Sequence, residues 1–286
     1  MKPAREFSET ALKEALIPLG AYLGEVVLCG SWVPFVYRRW MLGKPEGALT
    51  VRTLDIDLAV PSPLPLAGRP LAEQLRQAGY RVARRPGRPL WDLEGDAGPP
   101  VTHFERPDAP YLELITPHRG TAPQGSVREV QEGVGAAELE YVEILLADTR
   151  EVAIPGTSLA VRVPTPAAYV FQKGLTFVKR QVPEKKGKDL ANLFDVLHNL
   201  PELHDETLAG TKALGRRSEE SLWSAFTGNL KSAFASADAE GVRLVEAQQP
   251  DPYGEFVRRD PTNGPHRFRE LVVGRFKELL AAAETR

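Results

Sequence analysis

Between Val26 and Val60 the chain reads VVLCGSWVPFVYRRW, then a polar, glycine-bearing connection, then RTLDIDLAV, and this stretch restricts the fold more than any other. An apolar run ending in Gly30-Ser31 reads as a buried strand that turns directly into a helix. Leu54 to Leu58 reads as a second strand carrying carboxylates at Asp55 and Asp57. Side chains two apart on a strand share a face, so this pair can close on one cation. A Gly-Ser turn opening a helix offers backbone N–H groups and a hydroxyl to an anion. Paired carboxylates suit magnesium, the hard ion that accompanies a triphosphate. The plain alternative is a solvated sheet edge that happens to carry two acids.

Gly30, Ser31, Asp55 and Asp57 in this order resemble the signature of nucleotidyltransferases of the DNA polymerase β superfamily, and the wording RTLDIDL is most similar to the bacterial AbiEii-type branch. The gap from Ser31 to Asp55 is longer than in compact members, which implies an inserted turn. The resemblance implies a third carboxylate on the neighbouring strand, and LELITP supplies Glu113 where most relatives have Asp. It implies an α/β nucleotidyltransferase fold with a mixed, twisted sheet, followed by a mostly helical C-terminal half.

At 286 residues the chain has room for two modest domains. We expect a core over residues 1–130 and a strand extension with a helical domain over 131–286, with the glycine-bearing stretch Gly120 to Gly135 as the linker. The contents of 42% hydrophobic and 26% charged residues are those of a globular protein, not of a disordered or fibrous one. The N-terminal stretch has acids among its apolar positions, unlike a signal peptide, and no segment approaches the about 20 apolar residues that span a bilayer. The expectation is a cytoplasmic protein. Cys29 is the single cysteine, which excludes an internal disulfide and a cysteine-based metal site; on a buried strand it reads as a small apolar side chain. A net charge of −2 means that any polyanion site must be local.

Along the chain, Ser8 to Tyr22 has helical spacing with Ser8 as N-cap. Trp32 to Met41 reads as the helix behind the Gly-Ser turn, and Pro70 to Gly79 as a short helix. Arg81 to Pro100 reads as a strand with an exposed excursion. Val101 to Phe104 and Tyr111 to Ile115 read as a strand pair joined by the turn ERPDAP. Glu138 to Leu146 and Val152 to Val163 read as strands, the latter a hairpin around Pro155-Gly156. The five histidines show no metal-ligand spacing; His118, just after LELITP, reads as structural or as a substrate contact.

A second pattern runs from Pro164 to Leu200. Lys173 and Arg180, seven residues apart, read as one side of a helix; a basic loop follows; Lys188-Asp189 opens the next helix. On spacing alone this is a solvated basic face. It also resembles, residue by residue, the AbiEii-type motifs that follow the core, which implies Lys173, Arg180, Lys188 and Asp189 as nucleotide-binding residues, Lys173 also being catalytic. Asn192 departs from that pattern. Asp189 is expected to orient Lys173 or Lys188.

The function implied is transfer of a nucleoside monophosphate from a nucleoside triphosphate onto an acceptor hydroxyl. Two Mg²⁺ ions would sit on Asp55, Asp57 and Glu113. The basic stretch Lys179 to Lys188 points to an RNA acceptor, such as a tRNA 3′ end. The open alternative is a non-catalytic nucleotide- or RNA-binding regulator, or a toxin-antitoxin component.

Overall fold

The computed structural model describes residues 8–45, 55–87, 98–107, 109–121, 126–249 and 263–284. The chain forms two compact units whose main break falls between Pro164 and Thr165. The connection before Asp55, the excursion within 88–97 and part of the ERPDAP turn lie outside the described residues.

In the first unit, Ser8 caps α1 (Glu9–Leu16) by accepting from the Ala11 N–H at 3.3 Å, and the helix buries Leu12, Ala15 and Leu16. The expected run to Tyr22 is not one helix. Pro18 removes a donor, and Gly20, at φ 52° and ψ −123°, kinks the following stretch Ile17–Gly24 into 3-10 turns. After β1 (Val27–Leu28) comes α2 (Trp32–Val36), prolonged by a π turn over Tyr37–Met41. Pro34 fits because N–H groups in a first helical turn have no intrahelical partner.

A mixed sheet follows. Its strands are β1, β2 (Asp55–Ala59), β3 (Arg81–Gly87), β4 (Gly98–Glu105), β5 (Tyr111–Pro117), β6 (Val127–Gln131), β7 (Val134–Leu139), β8 (Thr149–Ala153) and β9 (Ala160–Pro164). The order is β3-β4-β5-β2-β1-β9-β8. β2 runs parallel to β5 and antiparallel to β1, and β1 is parallel to β9. One edge of β5 is taken by β2. The other is shared, first by β4 and then by β7, which pairs with Ile115 to Pro117. α3 (Leu71–Gln77) lies between β2 and β3, ended by Gly79 at φ 86°.

Two expectations need correcting here. The expected linker from Gly120 to Gly135 contains sheet strands from residue 127 on: β6 pairs with β7, and β7 pairs with β5, so an expected boundary near 130 falls inside the sheet. The run Glu138 to Leu146 is not a strand throughout. It leaves β7 at Leu139, turns at Tyr141 (φ 65°) and continues as α4 (Val142–Ala147). Val142 and Leu145, three apart, stay on one side of a helix, and both belong to one buried cluster with Val27, Ala59, Ile115 and Ala137. Those four residues form a row across the sheet by register. Thus α4 covers the sheet face at the C-terminal end of β2 and β5.

The second unit is helical: α5 (Pro166–Thr176), α6 (Pro183–Phe194), α7 (His204–Arg217), α8 (Glu220–Ala233), α9 (Glu240–Gln248) and α10 (Gly264–Glu284). Thr165 caps α5, accepting from the Ala168 N–H at 3.2 Å, with Pro166 in the first turn. Every residue of α5 is buried, so it is a central helix and not the amphipathic one expected. Its neighbours come close because of glycines. A Cβ on Gly174 would lie 2.4 Å from the Phe226 ring, and one on Gly210 would lie 2.6 Å from Ala167.

Candidate active site

The site in the first unit is built by register. Asp55 pairs with Tyr111 and Asp57 with Glu113, so all four side chains project from the face that α4 covers further along. The alternate residues Ile56, Leu58, Leu112 and Leu114 are fully buried on the other face. Alternation of acid and aliphatic residues therefore separates chemistry from core, strand by strand. Carboxylate oxygens of Asp55, Asp57 and Glu113 lie within 4.8 Å of one another, and all three residues are half-buried. Opposite ligands of an octahedral Mg²⁺ are about 4.2 Å apart, twice the metal–oxygen bond. Adjacent ligands are about 3.0 Å apart, so the three carboxylates would draw together on binding such an ion. The donor set is oxygen only, which favours magnesium or manganese over zinc.

The Gly-Ser turn reaches the same place from β1. Because β1 is antiparallel to β2, it ends where Asp57 begins its exposure; the Cys29 N–H donates to Asp57 O at 2.9 Å, and the Cys29 thiol lies 3.2 Å from that oxygen. Trp32, in the first turn of α2, donates from Nε1 to Asp55 O at 3.0 Å. Gly30 has φ 72°, and a Cβ there would stand 2.2 Å from Asp57 Oδ2. Position 30 is thus closed to any side chain twice over, by conformation and by the carboxylate beside it. Cys29 is buried, as its strand position implied.

A residue not singled out from the sequence joins this row. His103 of β4 is the register partner of Glu113, and its Nε2 lies 3.4 Å from Glu113 Oε2. Its ring stacks on Tyr111, with centroids 4.8 Å apart and planes 9° from parallel. The signal was present in the alternation of Val101, His103 and Glu105, but it becomes readable only once β4 is paired with β5. His118 extends β5 beyond this row, its backbone N–H donating to Leu139 O at 2.9 Å.

The second pattern forms its own cluster in the second unit. Asp189 of α6 is buried and receives the Lys173 ammonium on Oδ1 and Arg180 Nε on Oδ2, the latter at 2.9 Å. Burial alone would raise the Asp189 pKa, but the charges of Lys173 and Arg180 outweigh it and hold the carboxyl at about 2. Arg180 does not share a helix with Lys173. α5 stops at Thr176, a 3-10 turn spans Phe177–Lys179, and Arg180 reaches Asp189 from extended backbone. Lys188 is not in the cluster; it pairs with Glu184 one turn earlier at 3.1 Å. The expected basic loop is largely helix, since Pro183 starts α6 and Lys185, Lys186 and Lys188 lie on it. Lys186 pairs with Glu240 at 2.8 Å.

A strand-borne carboxylate trio beside a glycine turn is a set of groups able to hold a metal ion. The comparison with protein families agrees: a family model described as nucleotidyltransferase matches residues 9–213, and the chain belongs to that family. It is a transferase enzyme, with the α/β fold expected. The search of curated proteins and that of solved structures gave no match. Among the described residues no helix is long and apolar enough to cross a membrane.

Proposed function

We propose that this enzyme moves a nucleoside monophosphate from a nucleoside triphosphate onto an acceptor hydroxyl, releasing pyrophosphate, in the manner of the AbiEii-like branch. The observation that carries the reading is the convergence of Asp55, Asp57 and Glu113 on one sheet face, with Asp57 against the Gly30 turn. In this reading the three acids hold two Mg²⁺ ions, which when bound lower the pKa of the acceptor oxygen and neutralise charge on the leaving group. Gly30 and Ser31 receive phosphate oxygens on backbone N–H groups and the hydroxyl. The acceptor oxygen forms a bond to the α-phosphorus, the bond from that phosphorus to the bridging oxygen breaks, and its electron pair leaves with pyrophosphate. Glu113, at the end of the acid row, accepts the acceptor's proton.

Lys173 is the cation we assign to phosphate charge, with Asp189 as the carboxylate that orients it. For the acceptor we propose an RNA 3′ end, such as that of a tRNA. The support is the basic density from Lys179 to Lys188. The ion pairs of Arg180, Lys186 and Lys188 with acids reduce the charge on offer, so the salt dependence of RNA binding should be shallow, at about 0.7 in log-log slope per phosphate contact.

The test is to incubate the protein with each labelled nucleoside triphosphate, Mg²⁺ and total RNA. Label should appear on RNA together with pyrophosphate, and Asp57→Asn should abolish it. Folded protein that transfers label from none of the triphosphates, to RNA or to any component of a cell extract, would overturn the reading.

A further inference from the structure

We infer that His103 is a positioning residue for the transfer reaction, fixing the orientation of the Glu113 carboxylate; the inference rests on the proposed nucleotidyl transfer. Glu113 has one more rotatable bond than the aspartates beside it. Asp57 is fixed by the turn that crowds it, whereas Glu113 reaches the acid row on a longer side chain that needs a restraint of its own. His103 stands in register next to it on β4, with Nε2 at 3.4 Å from Oε2. The imidazolium and the neutral tautomer protonated on Nε2 both offer a proton on the nitrogen nearest that oxygen, so the restraint does not depend on charge.

The imidazole is itself held. It stacks on Tyr111 with planes only 9° apart, and its register partner on the other side, on β3, is the small Ala83. Tyr111 is the register partner of Asp55. The four residues Asp55, Tyr111, His103 and Glu113 thus lie side by side across three strands: stacking fixes the ring, and the ring restrains Glu113 Oε2 beside the aspartates. Partners that orient metal-ligating groups in this way typically change metal affinity or activity by about 10- to 100-fold when lost.

Two substitutions separate the ring's functions. His103→Phe keeps an aromatic plane for Tyr111 and removes the nitrogen, while His103→Gln keeps an N–H donor and removes the plane. We expect His103→Phe to lower kcat by about 10-fold or more, with the triphosphate KM within about twofold, and to weaken Mn²⁺ binding measured by electron paramagnetic resonance without nucleotide. His103→Gln should recover part of both. In a Glu113→Asp background the carboxylate withdraws from His103, so adding His103→Phe should cause no further loss in either measurement. His103→Phe with wild-type kcat and Mn²⁺ binding, or an equal loss in both backgrounds, overturns the positioning role and leaves nucleotidyl transfer standing. Wild-type protein that binds no Mn²⁺ and transfers no nucleotide overturns both.

Discussion

Replacing Gly30 by alanine tests the site through its tightest contact. The substitution has two separable effects. At φ 72° an L-residue is strained, which costs about 1 kcal/mol. The new Cβ would also lie 2.2 Å from Asp57 Oδ2, whereas carbon and oxygen settle at about 3.3 Å. The carboxylate must therefore swing by about 1 Å, on a side chain short enough that it cannot return to the same ligand position. A shift of that size costs about 100-fold in rate where reacting groups are held in line. Gly156→Ala is the internal control, because Gly156 has φ 81° with nothing within 4 Å of its would-be Cβ. Both variants should lose about 1 kcal/mol, or about 2–4 °C in Tm, but only Gly30→Ala should lose Mn²⁺ binding and transfer activity. Differential scanning calorimetry, metal titration and a single-turnover transfer assay read the three quantities. A Gly30→Ala protein with the same loss of stability as the control and unimpaired metal binding would refute the reasoning.

Asp55→Asn and Asp57→Asn should each abolish metal-dependent transfer and raise the melting temperature of metal-free protein slightly, by relieving repulsion among three close carboxylates; saturating Mg²⁺ should stabilise the wild type and not the variants. Asp189 is lowered from 3.8 to about 2 in the folded chain. Its stabilising contribution is therefore complete above about pH 4 and lost as pH falls toward 2, amounting to about 2 kcal/mol. Urea unfolding between pH 5 and 2 should show this dependence flattened in Asp189→Asn, which should also be about 3 kcal/mol or more less stable at neutral pH because two cations lose their buried counter-charge. Gly174→Ala should destabilise the helical unit by about 1–3 kcal/mol through the Phe226 ring, with no effect on Mn²⁺ binding. Glu113→Gln should keep triphosphate binding and lower the rate, as read by equilibrium binding and single-turnover kinetics.

The acid strand was legible from the sequence because its alternation and the Gly-Ser turn are local patterns. Asp55 and Asp57 share a face whatever β2 pairs with, and the placement of Glu113 beside Asp57 follows once β2 and β5 are parallel. His103 was not legible, since its role arises from a register between two strands that share only two paired positions, His103 with Glu113 and Phe104 with Leu112. α4 was missed because a six-residue apolar run carries too few turns to distinguish helical from strand periodicity. A spacing of seven puts Arg180 on the helix of Lys173, but the helix ends between them, and Asp189 brings the two cations together by charge instead. Composition places a basic loop between Arg180 and Lys188 and starts the helix at Lys188, although Pro183 in a first turn is a sign that the helix begins there.

The backbone of β2 is tied to β1 and α2 by Cys29 at Asp57 O and by Trp32 at Asp55 O. The spacing between the Gly-Ser turn and the aspartates is thus held at the main-chain oxygens of β2, by one backbone N–H and one indole N–H. Substitutions away from these two ties leave the placement of the β2 main chain beside the turn untouched. Surroundings of the acid row can therefore vary while the strand that carries Asp55 and Asp57 keeps its position.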